Sequence, residues 1–368
     1  MKDVFPPLKP GATIGILGSG QLGRMLAIAA AKLGYRTHIY ADVSGPAFDV
    51  ASETTIAPYE NLGRMTAFAQ AVDVVTYEFE NVPLGAAAAA LTGAPVRPSP
   101  RALEVAQDRI IEKRFIDGLA IAVPAFAQID SGTDLKAALT TIGTPGILKT
   151  CRFGYDGKGQ SRIMSADGAD WALEAIGGAP AILEAVVPFD CEISVICARA
   201  ADGSFVTYDC PLNIHRDGIL HTSTVPSGLP EPILDSARQI AKEIAEALDY
   251  IGVLTVELFI IASTGATPSR LLVNEIAPRV HNSGHWTLEA CAISHFDNHI
   301  RAITGLPLGN TQRTADATMT NLIGHAITDV GPYMSQPGAS VHNYGKNEAR
   351  PGRKMGHVTQ LHLPEPKQ

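Results

Sequence analysis

Within twelve residues, Asn274-Glu275-Ile276-Ala277-Pro278-Arg279-Val280-His281-Asn282-Ser283-Gly284-His285 gathers a carboxylate, a guanidinium, two imidazoles and side-chain amides, directly after the apolar run 271–273. So dense a set of polar groups marks the edge of an active site rather than a core strand. Eighteen positions before Glu275, Glu257 interrupts a second apolar run, 253–259, and the turn-rich stretch 263–269 between the runs predicts a hairpin. On paired buried strands, Glu257 and Glu275 would repel each other unless a cation lay between them; an exposed cross-strand pair is the alternative. Two carboxylates leave coordination positions for phosphate oxygens and water, which suits Mg2+ (or Mn2+) with a nucleotide better than Ca2+.

Lys149 closes a further apolar run, and Gly154-Tyr155-Asp156-Gly157-Lys158-Gly159-Gln160 follows it. Glycines let a hairpin lie flat over phosphates while the two lysines supply charge. No helix and no Ser or Thr follows the lysine, so this is not the phosphate loop of the P-loop enzymes, and an ordinary mobile hairpin is the competing explanation. The run 181–187 reads as a strand whose backbone could pair with an adenine edge, with Glu184 beside it, and Glu192 on the next strand could accept ribose hydroxyls. Each glutamate alone is more often a solvated strand position, because Glu is seldom buried without a partner.

Near the start, Gly18-Ser19-Gly20-Gln21-Leu22-Gly23 matches GxGxxG between a strand and a helix, and Asp42 follows the second strand where a dehydrogenase places its ribose-binding acid. Physically the motif brings backbone N–H groups and a helix N-terminus to some phosphate, and a ribose 5′-phosphate serves as well as a pyrophosphate. Gln21 adds a donor suited to a single phosphate; a tight turn without ligand is the alternative. Tyr77-Glu78-Phe79-Glu80-Asn81-Val82-Pro83 ends the third strand of this region, where ligands sit in open parallel sheets, so one of the acids Glu78 and Glu80 faces substrate. Asn81 reads as a helix N-cap with Val82 and Pro83 opening the helix.

These groups need a scaffold. At 368 residues the chain allows two or three domains, and 46% hydrophobic against 18% charged residues indicates well-filled cores. Runs at 13–17, 37–40 and 72–77 alternate with helical patterns at 21–33 and 62–70, a βαβαβ half-fold with a parallel sheet. Pro95, Pro98 and Pro100 punctuate the chain before a helical stretch 102–116, and a new unit begins near Asp108. There the spacing predicts a helix over 137–141 and strands over 146–150, 161–164, 181–187, 192–198, 205–210 and 218–225. Ile233, Ala237, Ile240, Ala241, Ile244, Ala245 and Leu248 recur at helical spacing. The last segment of about sixty residues is too small to bury a separate core and should pack on the rest.

The formal charge of −8 offers no electrostatic footprint for nucleic acid or an acidic membrane. Five cysteines, without CxxC or Cys/His spacing, fit a reducing compartment, and no run approaches the ~20 apolar residues of a membrane helix. The start lacks the apolar segment of a signal peptide, so a cytoplasmic location is expected.

Taken together, these segments resemble the ATP-grasp superfamily and, within it, the N5-carboxyaminoimidazole ribonucleotide synthetases of purine biosynthesis. The resemblance rests on GILGSGQLGRM at 15–25, EFENVP at 78–83, QDR at 107–109, GYDGKGQ at 154–160, NEIAPRVHNSGHWT at 274–287, YGK at 344–346 and RPGRKMGH at 350–357. It implies an α/β (α+β overall) ATP-grasp fold: a Rossmann-like pre-ATP-grasp domain (1–107), the ATP-grasp domain with its glycine-rich lid (108–304) and a small C-terminal subdomain (305–368). It implies that ATP phosphorylates bicarbonate, that carboxyphosphate releases CO2 in a closed site, and that the amine of 5-aminoimidazole ribonucleotide captures it as a carbamate. A homodimer is implied in the same way.

By resemblance, Arg109, Lys149, Glu184, Val187, Glu192, His215, Asn274, Glu275 and the 154–160 loop would hold ATP, and Glu257 and Glu275 would hold Mg2+. Asp156, Lys158 and Arg279 would be the catalytic groups: Arg279 meets the transferring phosphoryl group or bicarbonate, and Asp156 orients the amine or takes its proton. The aminoimidazole ribonucleotide would meet Tyr155, Asp156, Lys158, Gln21, Leu22, Glu78, His281, Asn282, Lys346 and Arg353. Ser19 and Phe153 stand where many members have glycine. The rival readings are a formate-dependent glycinamide ribonucleotide transformylase, an NAD-dependent dehydrogenase, and a degenerate nucleotide-binding module without activity.

Overall fold

The structure, a computed structural model, describes residues 5–154, 158–262 and 269–363. The first unit is a parallel sheet of β1 (Thr13–Leu17), β2 (Arg36–Ala41), β3 (Glu53–Ile56) and β4 (Val74–Tyr77), in the order β3-β2-β1-β4. Helices α1 (Gln21–Lys32), α2 (Leu62–Gln70) and α3 (Leu84–Leu91) accompany it. The expected βαβαβ frame is present with one strand more. Glu53-Thr54-Thr55-Ile56 escapes an apolar-run search because it is an edge strand with one face in water. Asn81 is not a cap: α3 begins after Pro83, whose fixed φ starts the helix without a side-chain hydrogen bond.

The expected helix 102–116 is two helices, α4 (Pro100–Gln107) and α5 (Arg109–Gly118). Asp108 separates them with an extended backbone, and its carboxylate accepts the N–H groups of Ile110 and Ile111. An acid in that position caps a new helix more readily than it continues an old one. A small antiparallel sheet follows: β5 (Phe126–Ile129), β6 (Gly146–Thr150), β7 (Gln160–Ile163) and β8 (Ala181–Ala185), in the order β5-β8-β6-β7, with α6 (Gly132–Ile142) and α7 (Ala169–Ala175). The strand read over 181–187 therefore ends two residues early.

The largest sheet has nine strands: β9 (Cys191–Arg199), β10 (Phe205–Thr207), β11 (Leu212–Arg216), β12 (Ile219–Val225), β13 (Gly252–Ile261), β14 (Arg270–Ala277), β15 (Asp316–Ile323), β16 (Ala339–Asn343) and β17 (Lys354–His362). Its order is β14-β13-β9-β11-β12-β15-β17-β16, with β10 on β9, and every pairing is antiparallel. The C-terminal strands thus extend this sheet instead of forming a core of their own. Helix α8 (Glu231–Ala247) packs on β13 and β9 with Ala237, Ala241, Ile244 and Ala245 buried; α10 (His295–Thr304) also packs on both strands. Helices on both faces explain why β13 is apolar almost throughout. Two short helices, α9 (Thr287–Ala290) and α11 (Gly331–Met334), complete the fold.

Helix α10 is fixed at both ends, by a capping box between Ser294 and Asp297 and by Gly305 at φ 79°. It also packs against α1, so one buried cluster contains Ile14 and Leu26 of the first unit, Ile196 and Val253 of the large sheet, and Ile300 between them. Ile300→Ala is therefore expected to lower stability by about 2–5 kcal/mol and to loosen the first unit along with the large sheet. Urea denaturation followed by far-UV circular dichroism checks this; a loss confined to one of two separate transitions would contradict a shared core.

Candidate active site

Strands β13 and β14 pair so that Glu257 lies directly opposite Glu275, with a register irregularity just past Glu257. Each acid has a different neighbour. Glu275 accepts from Arg109 Nη1 at 3.0 Å, while Glu257 lies 3.0 Å from His281 Nε2. Burial and then the charge of Glu275 push the Glu257 carboxyl up to about 7. Burial also works to raise Glu275, but Arg109 and Lys149 outweigh it and hold that carboxyl below its ordinary range. Two facing oxygen donors that resist sharing negative charge fit a hard divalent cation.

Arg109 reaches Glu275 because of the break at Asp108, which makes it the first residue of α5. Its second Nη donates to the Gly154 carbonyl at 3.3 Å, tying the root of the glycine loop to the acid pair. Gln107 donates to the Val82 carbonyl and accepts from Arg152, both at 2.5 Å, so all three residues of the QDR motif hold something. Across the loop, β6 and β7 pair Lys149 with Gln160, and Thr150 N donates to the Gly159 carbonyl. Tyr155, Asp156 and Gly157 lie outside the described residues; Lys158 is exposed. Phe153 is also exposed and adopts φ 64°, the left-handed conformation that glycine takes freely, so the expected glycine would fit this position without strain.

Lys149 Nζ meets Glu184 at 2.7 Å, and behind Glu184 stands a lysine that the motif search passed over. Lys113, with no exposed surface, lies 3.7 Å from Glu184 and donates to the Asn274 carbonyl. Its neighbour Glu112 is equally buried and accepts the Ile276 N–H at 2.6 Å. Burial raises the Glu112 carboxyl and lowers the Lys113 ammonium. A signal existed: Lys113 falls between Ile110 and Ile116 on the buried stripe of α5. Further along, His215 Nδ1 lies 2.5 Å from Glu192; burial lowers the imidazole, but the bond and charge of Glu192 win and raise it. Val187 follows the end of β8, half-buried.

The first unit meets this site through Glu78 and Glu80. Glu80 binds Arg279 Nε at 2.5 Å. Glu78 is buried against the start of α1, where its carboxylate accepts the N–H groups of Gly20 and, at 2.6 Å, Gly23. The GxGxxG turn therefore holds an anion, but the anion is internal. A Cβ at Gly18 or Gly20 would strike Glu78, so these glycines make room for that side chain and not for a pyrophosphate. Asp42, the expected ribose acid of a dehydrogenase, is exposed. Ser19 donates to the Val43 carbonyl at 2.9 Å, so it adds a tether to the turn. The Leu22 side chain is buried in the core, which leaves its backbone for any ligand. Gln21 and Arg24 line a cavity with residues 341–344.

Lys346 donates to the Lys354 carbonyl at 2.7 Å and lies 5.6 Å from the Tyr344 ring centre; both Lys346 and Arg279 bear on the charge of Glu78. Arg353 is exposed and donates to the Glu348 carbonyl. Of the segment 279–285, Arg279 and His281 reach the acids. Asn282 turns inward instead, exchanging hydrogen bonds of 2.9 and 2.6 Å with Asn321 and donating to His285 Nδ1. Both ends of its amide are thereby occupied inside the protein.

Removing Lys113 leaves Glu184 paired with Lys149 alone and takes the donor from the Val273 and Asn274 carbonyls of β14. Lys113→Met should cost about 3–5 kcal/mol of stability in urea titrations. Its effect should be non-additive with that of Glu184→Gln, because the two groups share one network. A Lys113→Met penalty below about 1 kcal/mol would refute the buried ion pair.

Comparison with known proteins places this geometry. Residues 11–107 match the ribonucleotide synthetase preATP-grasp domain, 114–296 the ATP-grasp domain, and 317–363 the phosphoribosylaminoimidazole carboxylase C-terminal domain. The chain is 50% identical to the N5-carboxyaminoimidazole ribonucleotide synthase of Brucella melitensis, over 96% of this chain and 97% of that one. It superposes on the Staphylococcus aureus N5-carboxyaminoimidazole synthetase complexed with ADP with TM-score 0.92 at 34% identity, covering 98% and 95% of the two chains. On the Aspergillus clavatus synthase in complex with ADP and 5-aminoimidazole ribonucleotide it superposes with TM-score 0.87 at 29% identity, covering 96% and 94%. The chain belongs to the N5-carboxyaminoimidazole ribonucleotide synthase family of ATP-grasp enzymes.

Proposed function

We propose that this chain is an ATP-dependent ligase that carboxylates 5-aminoimidazole ribonucleotide to N5-carboxyaminoimidazole ribonucleotide in purine biosynthesis, with bicarbonate as the carbon source and ADP and phosphate as products. The observation that carries this reading is Arg279: it is bound to Glu80 of the first unit and lies in the field of both Glu275 and Glu257. A fixed cation at the junction of a nucleotide half and a second-substrate half is what phosphoryl transfer to a small anion requires. Such transfer depends on positioning and charge neutralisation more than on a covalent nucleophile.

In this reading Lys149, Arg109 and the 154–160 loop hold the ATP phosphates, with Glu184, Val187, Glu192, His215 and Asn274 around the rest of the nucleotide. Glu257 and Glu275 would hold Mg2+ (or Mn2+), which supplies charge neutralisation to the phosphates. Arg279 steadies bicarbonate, through one oxygen of which the γ-phosphoryl group is taken up. Carboxyphosphate then breaks its C–O bond to give CO2 and phosphate. The amine nitrogen attacks CO2, and its proton passes to Asp156. Gln21, Glu78, His281, Lys346 and Arg353 surround the ribonucleotide, with Tyr155 and Lys158 over its ring. Asn282 supports this side from within, since its amide is already engaged.

The five cysteines are all free thiols, which supports a reducing, cytoplasmic setting; among the described residues no helix is long and apolar enough to cross a membrane. A homodimer belongs to the same reading, on family resemblance. The dehydrogenase alternative loses its main support because Glu78 occupies the glycine-rich turn.

Phosphate release from ATP should rise with bicarbonate plus 5-aminoimidazole ribonucleotide and not with formate plus glycinamide ribonucleotide; stimulation by the second pair alone would overturn the assignment. Glu275→Gln, which halves the metal-binding charge, should lower kcat by about 100-fold or more, and turnover equal to the parent would exclude Glu275 from the site. Asp156→Ala should leave ATP affinity near that of the parent in calorimetry while uncoupling phosphate release from carbamate formation. Loss of ATP binding in this variant would reassign Asp156 to the nucleotide.

A further inference from the structure

Away from the Glu257 and Glu275 pair, Glu289 of α9, His342 of β16 and His357 of β17 each offer one donor atom, and the three atoms lie within 4.8 Å of one another. His342 and His357 are directly opposite in the strand pairing, and His342 Nε2 lies 2.6 Å from Glu289 Oε1. Two further atoms of the group, His357 Nε2 and Glu289 Oε2, are buried without a hydrogen-bond partner.

The protonation of His357 follows from the network behind it. Asn321 Nδ2 donates to the Leu220 carbonyl, which fixes its orientation, so Asn282 must present its own NH2 to Asn321 and to His285 Nδ1. His285 Nδ1 is therefore an acceptor. Tyr344 Oη lies 3.1 Å from it and 3.0 Å from His357 Nδ1. Were the phenol to donate to His357, its oxygen would face an acceptor at His285. It donates to His285 instead and accepts from His357 Nδ1–H. That leaves His357 Nε2 as a bare lone pair, with no exposed surface, in a cluster whose carboxylate also has an oxygen that lacks a donor. Two buried acceptors without donors in one His/His/Glu cluster call for a cation.

We propose that Glu289, His342 and His357 form a binding site for a borderline divalent transition metal of the Zn2+ class, separate from the nucleotide's acid pair and independent of the ligase reading. Two imidazole nitrogens and one carboxylate oxygen suit Zn2+, Co2+ or Ni2+ and disfavour Mg2+, with water completing the sphere. Tyr344 is the outer partner that fixes the His357 tautomer, as such partners do for metal-bound histidines. The two rings lie stacked, 4.5 Å apart and 6° from parallel. Closing on one ion turns His342, which is one-third exposed, out of the stack; its Nε2 proton leaves to solvent as the metal takes its place.

The test is titration of the full chain, in saturating Mg2+, with Zn2+ by calorimetry and with Co2+ by visible absorption. One equivalent should bind with a Co2+ spectrum of nitrogen and oxygen ligation. Affinity should fall about 100-fold in His342→Ala and in Glu289→Gln, and by about 10- to 100-fold in Tyr344→Phe, which frees the His357 tautomer. Zn2+ should raise the Tm of the parent and not of the two ligand variants. No stoichiometric binding by the parent, as expected if a water donates to both acceptors, would overturn the site. Equal affinity in the parent and the ligand variants would overturn it as well.

Discussion

Glu257 and Glu275 face each other across β13 and β14, and this juxtaposition of like charges governs the arrangement around them. Strand pairing alone would bring the two carboxylates into repulsion in a sheet covered by helices on both faces. The surroundings answer with two cations and a neutral imidazole from separate elements: Arg109 from the start of α5, Lys149 from β6, and His281, whose pKa burial and the Arg279 charge hold well below the ordinary range, from the turn after β14. None of these is adjacent to another in the chain. The cost of bringing them together is met by cores that hold their elements in place, which is why helix caps and buried stripes far from the acids matter to the chemistry.

Behind this layer lies a second, fully buried one. Lys113 holds Glu184 and the carbonyl of Asn274, while Glu112 takes the N–H of Ile276, so both residues flanking Glu275 have their backbone fixed by α5. Buried charges contribute little net stability when paired and are costly when stranded, so such a network specifies one geometry more than it strengthens the fold. The same helix supplies Arg109 at its first residue. A single element therefore sets the backbone of Glu275 from behind and its charge from in front.

The residues legible from sequence were those whose chemistry is concentrated locally. The acid pair and the lysine before the glycine loop follow from apolar runs interrupted by charge, and β1, α2 and β6 fall at the expected residues. Pattern failed where local and tertiary preferences part. The stretch 102–116 keeps a helical period across Asp108, yet its side chain caps a second helix and turns Arg109 toward Glu275. Polar Glu53-Thr54-Thr55 gives no strand signal because only pairing with β2 makes it one. The GxGxxG turn shows the converse: its N–H groups do bind an anion, but the partner is Glu78, 55 residues beyond Gly23, which no local window connects to it.

The segment 274–285 divides along the same lines. Asn274 and Glu275 lie on β14, whereas Arg279 and His281 reach Glu80 and Glu257 from beyond it. The remainder turns inward. Asn282 locks onto Asn321 of β15, Ser283 accepts from Ser194 of β9, and His285 accepts from Tyr344, which lies under Lys346. A polar run that reads as a row of substrate contacts thus acts as a pin, with two residues facing the acids, one fixed to β9, and two holding β15 and Tyr344 in the C-terminal part. Lys346, which bears on Glu78, lies just past Tyr344 in the chain, so the inward half of the segment sets where that lysine stands.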